Sequence, residues 1–145
     1  MAGMEQPRQY CTFMLDGYYF GVDATAVREV LVDQEVTHVP LAPPVVPGVI
    51  NLRGDIVTTV DLRRQLELPP RDEGAKSAHV VVGVDSEAVS FLVDQVGEVI
   101  AASADSFEPP PDNLRGVARD LILGSHTLES QLLLVLDIAK AAAFE

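Results

Sequence analysis

The sequence predicts a mostly β fold, made of two small curled sheets with helices confined to short pieces. Three observations predict it. The apolar residues are dominated by Val, Leu, Ile and Ala, with no Trp and only 6% aromatics, and β-branched side chains suit the pleated surface of a strand. The aliphatic runs are short, bounded by turn residues, and follow the same order in the second half as in the first. At 145 residues and 48% hydrophobic, the chain is long enough to bury a real core as one compact unit.

Residues 10–15 and 18–22 read as a hairpin around Asp16-Gly17, a pair that tolerates positive φ. The segment Val27-Arg28-Glu29-Val30 reads as the next strand, after which Pro40, Pro43, Pro44 and Pro47 remove backbone donors and mark a loop. Gly48-Val49-Ile50 then leads through a polar turn into the run 56–62, where Asp61 is placed to cap a helical stretch over 62–66.

The second half opens the same way, with strands over 79–84 and 88–93 around Asp85-Ser86-Glu87, closed by Asp94. Val96-Gly97-Glu98-Val99 echoes the Val27 segment, and Pro109, Pro110 and Pro111 echo the earlier prolines. Leu121-Ile122-Leu123 leads through an expected turn at Gly124-Ser125 into the run 132–138, where Asp137 is placed to cap a helix over 138–144. The expected organisation is a tail over 1–8 and one domain over 9–145, with repeats at about 10–68 and 78–143 joined by a connector at 69–77. Two sheets of about five strands each would leave exposed edges unless they curl closed, so a pair of small barrels, one from each half, is the expected architecture. The alternative is a chance likeness between two β-rich stretches.

The formal net charge of -12 opposes binding to nucleic acid, whose phosphates are matched by Lys and Arg. No run approaches the roughly 18 to 20 apolar residues that span a bilayer, and residues 1–9 are too polar for a signal peptide, so a cytoplasmic protein without direct membrane insertion is expected. Cys11 is the single cysteine, expected as a buried strand thiol. His38, His79 and His126 lack metal-ligand spacing; His79 falls at a strand start and His126 in a polar turn. No glycine-rich phosphate cradle is present, and the 22 carboxylates fall largely at turns and strand ends (Asp16, Asp33, Asp85, Asp105, Asp112), where Asp bonds nearby amides. The expectation is no enzyme, no catalytic residues, no metal and no cofactor.

The stretch Gly48-Val49-Ile50-Asn51-Leu52-Arg53-Gly54, continued by an aliphatic strand and Asp61-Leu62-Arg63, resembles the signature of the CheW-like family. Val27-Arg28-Glu29-Val30, Phe91-Leu92-Val93-Asp94-Gln95-Val96 and Leu134-Val135-Leu136-Asp137-Ile138 extend the resemblance over about residues 9–144. The chain departs from the family at Thr58, where proline is frequent, and at Gly124-Ser125, where a Gly-x-Gly turn is common. A second Asn-Leu-Arg-Gly at 113–116 follows a proline run and reads as coincidence. The resemblance implies two intertwined five-stranded SH3-like barrels and a non-enzymatic adaptor. It implies binding to chemoreceptor cytoplasmic tips and to the CheW-like regulatory domain of a histidine kinase, with other CheW-like molecules as a further class of partner. Such an adaptor is cytoplasmic and reaches receptor arrays through its partners. The partner-binding positions it implies are Val27, Glu29, Gly48, Asn51, Leu52, Arg53 and Gly54.

Physically, Gly54 can take positive φ, Asn51 can bond its own turn and Leu52 can pack. The Arg53 guanidinium, at a tip between strands, can reach either an acid of this chain or a partner. Glu29 is expected to share strand parity with Val27 and Leu31, a carboxylate in an apolar row that suits an interface rim or an edge strand kept soluble. Two other functions are open to such a chain: a structural or oligomerising β-protein, and a small hydrolase whose scattered carboxylates converge.

Overall fold

The computed structural model describes residues 7–112 and 117–144; the second Asn-Leu-Arg-Gly, at 113–116, lies outside them, as do the first six residues of the expected tail. The elements are β1 (Arg8–Leu15), β2 (Tyr18–Asp23), β3 (Val27–Val32), β4 (Gly48–Leu52), β5 (Asp55–Asp61), α1 (Leu62–Gln65), β6 (Ala78–Val84), β7 (Glu87–Val93), β8 (Gln95–Ala102), β9 (Phe107–Glu108), α2 (Val117–Asp120), β10 (Ile122–Thr127), β11 (Leu132–Leu136) and α3 (Ile138–Ala142). Both hairpins form on two-residue turns with left-handed backbones, Asp16 and Gly17 at φ 50° and 81°, and Asp85 and Ser86 at φ 47° and 70°. Such turns match the right-handed twist of the strands they join. Glu87, expected in the second turn, instead opens β7 opposite Val84.

The two sheets are intertwined, as the family resemblance implies, and this overturns the simpler expectation of one barrel from each half. One sheet runs β8-β1-β2-β11-β10-β9 and the other β3-β6-β7-β5-β4. Each hairpin is therefore flanked by strands of the opposite half: β1 pairs with β8, and β6 with β3. At β8 the length of the link explains the exchange. Only Asp94 separates β7 from β8, and a single 3-10 turn, Ala24–Ala26, separates β2 from β3. One intervening residue is too few for the two-residue reversal that would lay β8 beside β7, so the chain passes into the other sheet. Each sheet joins its two parts through one interior parallel pair, β2 with β11 and β5 with β7.

The main core lies between the sheets, where Phe13, Leu15, Phe20 and Val22 of one meet Val60, Val80, Val82, Phe91 and Val93 of the other, with Leu62 and Ala141 from the helices. Each sheet also encloses a smaller cluster: Tyr10, Ala102, Leu133 and Val135 in the first, and Ile50, Val57 and Val81 in the second. Asp61 and Asp137 cap α1 and α3 with the same backbone angles, accepting the amides of Arg63 and Lys140 at 3.0 and 3.1 Å. Among the described residues, the carboxylates that accept backbone amides are Asp23, Asp61, Asp94 and Asp137, whereas Asp16, Asp33 and Asp85 contribute left-handed backbone.

Two further expectations are corrected. His126 is not in a turn but inside β10, fully buried, and the reversal lies at residues 128–131. Gly124 serves close approach rather than turning, since a Cβ there would stand 2.3 Å from the Phe107 ring and 2.5 Å from the Glu108 carbonyl. Parity also fails in β3. A two-for-one step lies between Val27 and Glu29, so Val27 packs on the shared core while Glu29 stands opposite Val81, whose side chain belongs to the smaller cluster.

The polarity around His126 is satisfied internally. The Ser106 hydroxyl donates to the Ser103 carbonyl at 2.9 Å, so it accepts from His126 Nδ1–H at 2.8 Å. That leaves Nε2 to accept from the Tyr10 hydroxyl at 3.0 Å. His79 is likewise buried, with Nδ1 at 2.9 Å from the Ser90 hydroxyl. Burial pushes both imidazoles below their ordinary value, helped by the positive charge of Arg8 for His126 and of Arg71 for His79. In the unfolded chain each takes up a proton near pH 6.5; in the fold it does so only at lower pH. Stability is therefore complete above pH 6.5 and falls as pH drops through that value toward the folded pKa. Urea midpoints should decrease between pH 7.5 and 5.5, above the ordinary carboxylate range, and a flat profile would contradict the assignment.

Candidate functional site

The candidate site is the turn between β4 and β5 and the edge strand beside it. The turn is shaped by Arg53 at φ 54° and Gly54 at φ 91°. Asn51 Oδ1 accepts the Gly54 amide at 2.9 Å, and Leu52 packs against the small cluster of Ile50, Val57 and Val81. Gly48, at the other end of β4, lets Thr37 and Val49 exchange backbone bonds of 2.8 and 2.9 Å. A Cβ at Gly48 would lie 2.0 Å from the Thr37 carbonyl oxygen, so no larger residue fits without moving that segment.

These supports leave one guanidinium in solvent. Arg53 is 76% exposed, and its Nη2 meets Glu29 Oε1 at 2.8 Å, with Glu29 only 21% exposed. The two residues singled out from the sequence thus touch across the barrel. An ion pair so open to water contributes little to folding, and a single N–H engages Glu29, leaving the rest of the fork facing outward. Of the other expected positions, Val27 faces the shared core, away from this pair.

Exposed apolar side chains lie on the other face of the same edge strand, and sequence reasoning missed them. Val30 and Val32 are 41% and 63% exposed although they stand opposite Val80 and Ala78, whose side chains are buried in the shared core. They carry the core face past the edge of the sheet into water. Val99 of β8, 59% exposed and opposite Cys11, does the same at the edge of the other sheet. The available signal was that residues 30–32 are aliphatic on both faces of a strand.

Away from this turn, a carboxylate ties the sheets together. Asp94, between β7 and β8, accepts Arg63 through Nε and Nη2 at 2.8 and 2.6 Å, Arg71 through Nε and Nη2 at 3.1 and 2.9 Å, and the Asp16 amide at 2.8 Å. Burial opposes ionisation of Asp94, but the bonds from Arg63, the Asp16 amide and Arg71 outweigh it and hold the carboxyl below its ordinary value. Among the described residues no group of three His, Cys, Asp or Glu is arranged to hold a metal, and no helix is long and apolar enough to cross a membrane.

The model of the CheW-like domain family matches residues 9–144. The chain belongs to the CheW-like domain family. Among its relatives, a chemotaxis protein CheW of Treponema pallidum is 30% identical over 97% of this chain and 85% of that protein. One of Klebsiella aerogenes is 27% identical over 100% of this chain and 87% of that protein. A crystal structure of the scaffolding protein TtCheW from Thermoanaerobacter tengcongensis superposes with a TM-score of 0.81 at 28% identity, covering 90% of this chain and 88% of the other. The CheW-like fold therefore accounts for both sheets, and the comparisons support a scaffold or adaptor role in chemotaxis.

Proposed function

We propose that this chain is a non-enzymatic adaptor that couples chemoreceptor cytoplasmic tips to the CheW-like regulatory domain of a histidine kinase, acting in the cytoplasm at receptor arrays. The observation that carries the reading is the family match across residues 9–144, with the Asn51 to Gly54 turn presenting Arg53 to solvent. Of the seven candidate residues, Arg53 and Glu29 make the partner contact, while Val30 and Val32 expose apolar surface on the other face of the same edge strand. Gly48, Asn51, Leu52 and Gly54 hold the turn, and Val27 seats β3 on the shared core. Charge at the tip together with exposed aliphatic residues on the edge strand suits a protein partner, because apolar contact supplies affinity while the charge sets register.

Autophosphorylation of the kinase measured with receptor, with and without this chain, tests the coupling. Receptor control of the kinase should rise with added chain until it saturates. No change at saturating chain would reject the adaptor reading.

A further inference from the structure

Residues 39–46 form two successive turns, closed by Ala42 N–H to the Val39 carbonyl at 3.4 Å and Val46 N–H to the Pro43 carbonyl at 2.8 Å. In the first, Pro40 precedes Leu41, which takes φ 65°. Proline followed by positive φ is a type II turn, whose third position normally belongs to Gly or Asn, because a Cβ-bearing aliphatic residue is strained there. Leu41 occupies it, and its side chain is completely exposed, at 103% of the reference area. An exposed leucine alone is ordinary. A leucine that is exposed and also held in an unfavourable backbone is not accounted for by folding, since Asn or Gly would suit both the turn and the water better.

The loop is stiff as well. Pro40, Pro43, Pro44 and Pro47 fix φ at four positions, and its end is bonded to the sheet through Asp61 N–H to the Val45 carbonyl at 2.8 Å. Little conformational freedom remains to be lost when Leu41 is buried by a partner. The loop enters β4 at Gly48, whereas Arg53 leaves it at the other end, so the two surfaces are separate, as a two-partner adaptor requires.

We infer that Leu41 is a preformed anchor that inserts into an aliphatic pocket on the CheW-like domain of the kinase, leaving the Arg53 surface to the receptor; this rests on the coupling reading above. A domain of this fold has a suitable hollow. In this chain one of about 310 Å³ lies between the β6–β7 turn and α3, its apolar wall made by Val84, Ala88, Val89 and Ala142 and its other side by Asp85 and Glu87.

Leu41→Asn is the informative variant, because Asn accepts the left-handed backbone and removes the anchor. It should melt at or above the wild-type temperature. Titrated against purified full-length kinase it should bind about tenfold more weakly than wild type, while binding to receptor in membrane discs stays within twofold. Unchanged kinase affinity in Leu41→Asn overturns the inference, and so does a loss that falls on the receptor. Failure of the wild-type chain to bind either partner ends the coupling reading itself, and Leu41 as a kinase anchor with it; that failure is read on wild type, before any variant is compared.

Discussion

Arg53→Ala should weaken partner binding about thirtyfold, equivalent to roughly 2 kcal/mol for a charge-assisted contact in a partly desolvated interface, and leave stability almost unchanged. The asymmetry follows from geometry. Arg53 is 76% exposed and gives one N–H to Glu29, so its removal costs folding at most about 1 kcal/mol. Arg53→Lys should recover little, since an ammonium cannot reproduce the planar fork. Glu29 separates two roles for the pair. If the partner recognises only the pair's arrangement, the charge swap Arg53→Glu with Glu29→Arg restores most of the affinity lost by each single change. With most of the guanidinium facing outward, the expected result is only a fraction restored. Binding titrations and thermal melts on these variants decide it, and wild-type affinity for both receptor and kinase in Arg53→Ala would falsify the assignment.

Asp94→Ala should lower stability by about 3 kcal/mol, the scale for removing one partner of a largely buried ion pair and stranding the other. Two guanidiniums are stranded here. Arg63 and Arg71 are 15% and 14% exposed, too enclosed for water to replace the carboxylate fully. The contribution also has a pH signature. Because the folded carboxyl lies below its ordinary value, the stability is present above the unfolded pKa near 4 and is lost as pH falls through the folded one. Urea unfolding at pH 7 measures the change, and a loss under about 1 kcal/mol would show that the arginines find other partners. Hydrogen exchange adds a local test, since the Asp16 amide loses its acceptor and should exchange faster in the variant.

What was legible in the sequence was local. Asp16-Gly17 announces a two-residue reversal by its own backbone preference, Asp85-Ser86 a turn that ends one residue before the expected Glu87, and Asp61 and Asp137 announce helix caps within three residues of what they cap. The Asn51 to Gly54 turn was legible for the same reason, with Asn51 bonding its own turn, though the Gly54 amide as its partner and the left-handed Arg53 came only with the structure. What depends on the path of the chain was not. Aliphatic strands such as β3 and β8 carry no mark of which sheet they join; for β8 the exchange follows from a link too short to reverse. One extra residue in β3 was enough to turn Val27 and Glu29 to opposite faces. His126 looked like part of a turn because Ser125, His126 and Thr127 are polar, yet Tyr10, 116 positions away, supplies the partner that lets it be buried. Asp94 and Arg63 were visible as residues, but 31 positions of chain conceal their pairing.

The exchange of strands between sheets also governs when this protein can exist during its synthesis. Neither barrel has all its strands until late. The first hairpin leaves the ribosome early, but β2 must wait for β11, which aligns Tyr19 with Leu133 and Gly21 with Val135. The second sheet waits for β6 and β7 to fill the place between β3 and β5. Strand pairs so distant in sequence close slowly, because the entropy of the intervening loop is lost before the contacts form. A nascent chain that has emerged only through residue 68 holds β3, β4 and β5 with unpaired edges and apolar faces uncovered, a state prone to aggregation. Folding is therefore deferred until the C-terminal strands emerge, and the cell must keep the growing chain apart from its neighbours until then.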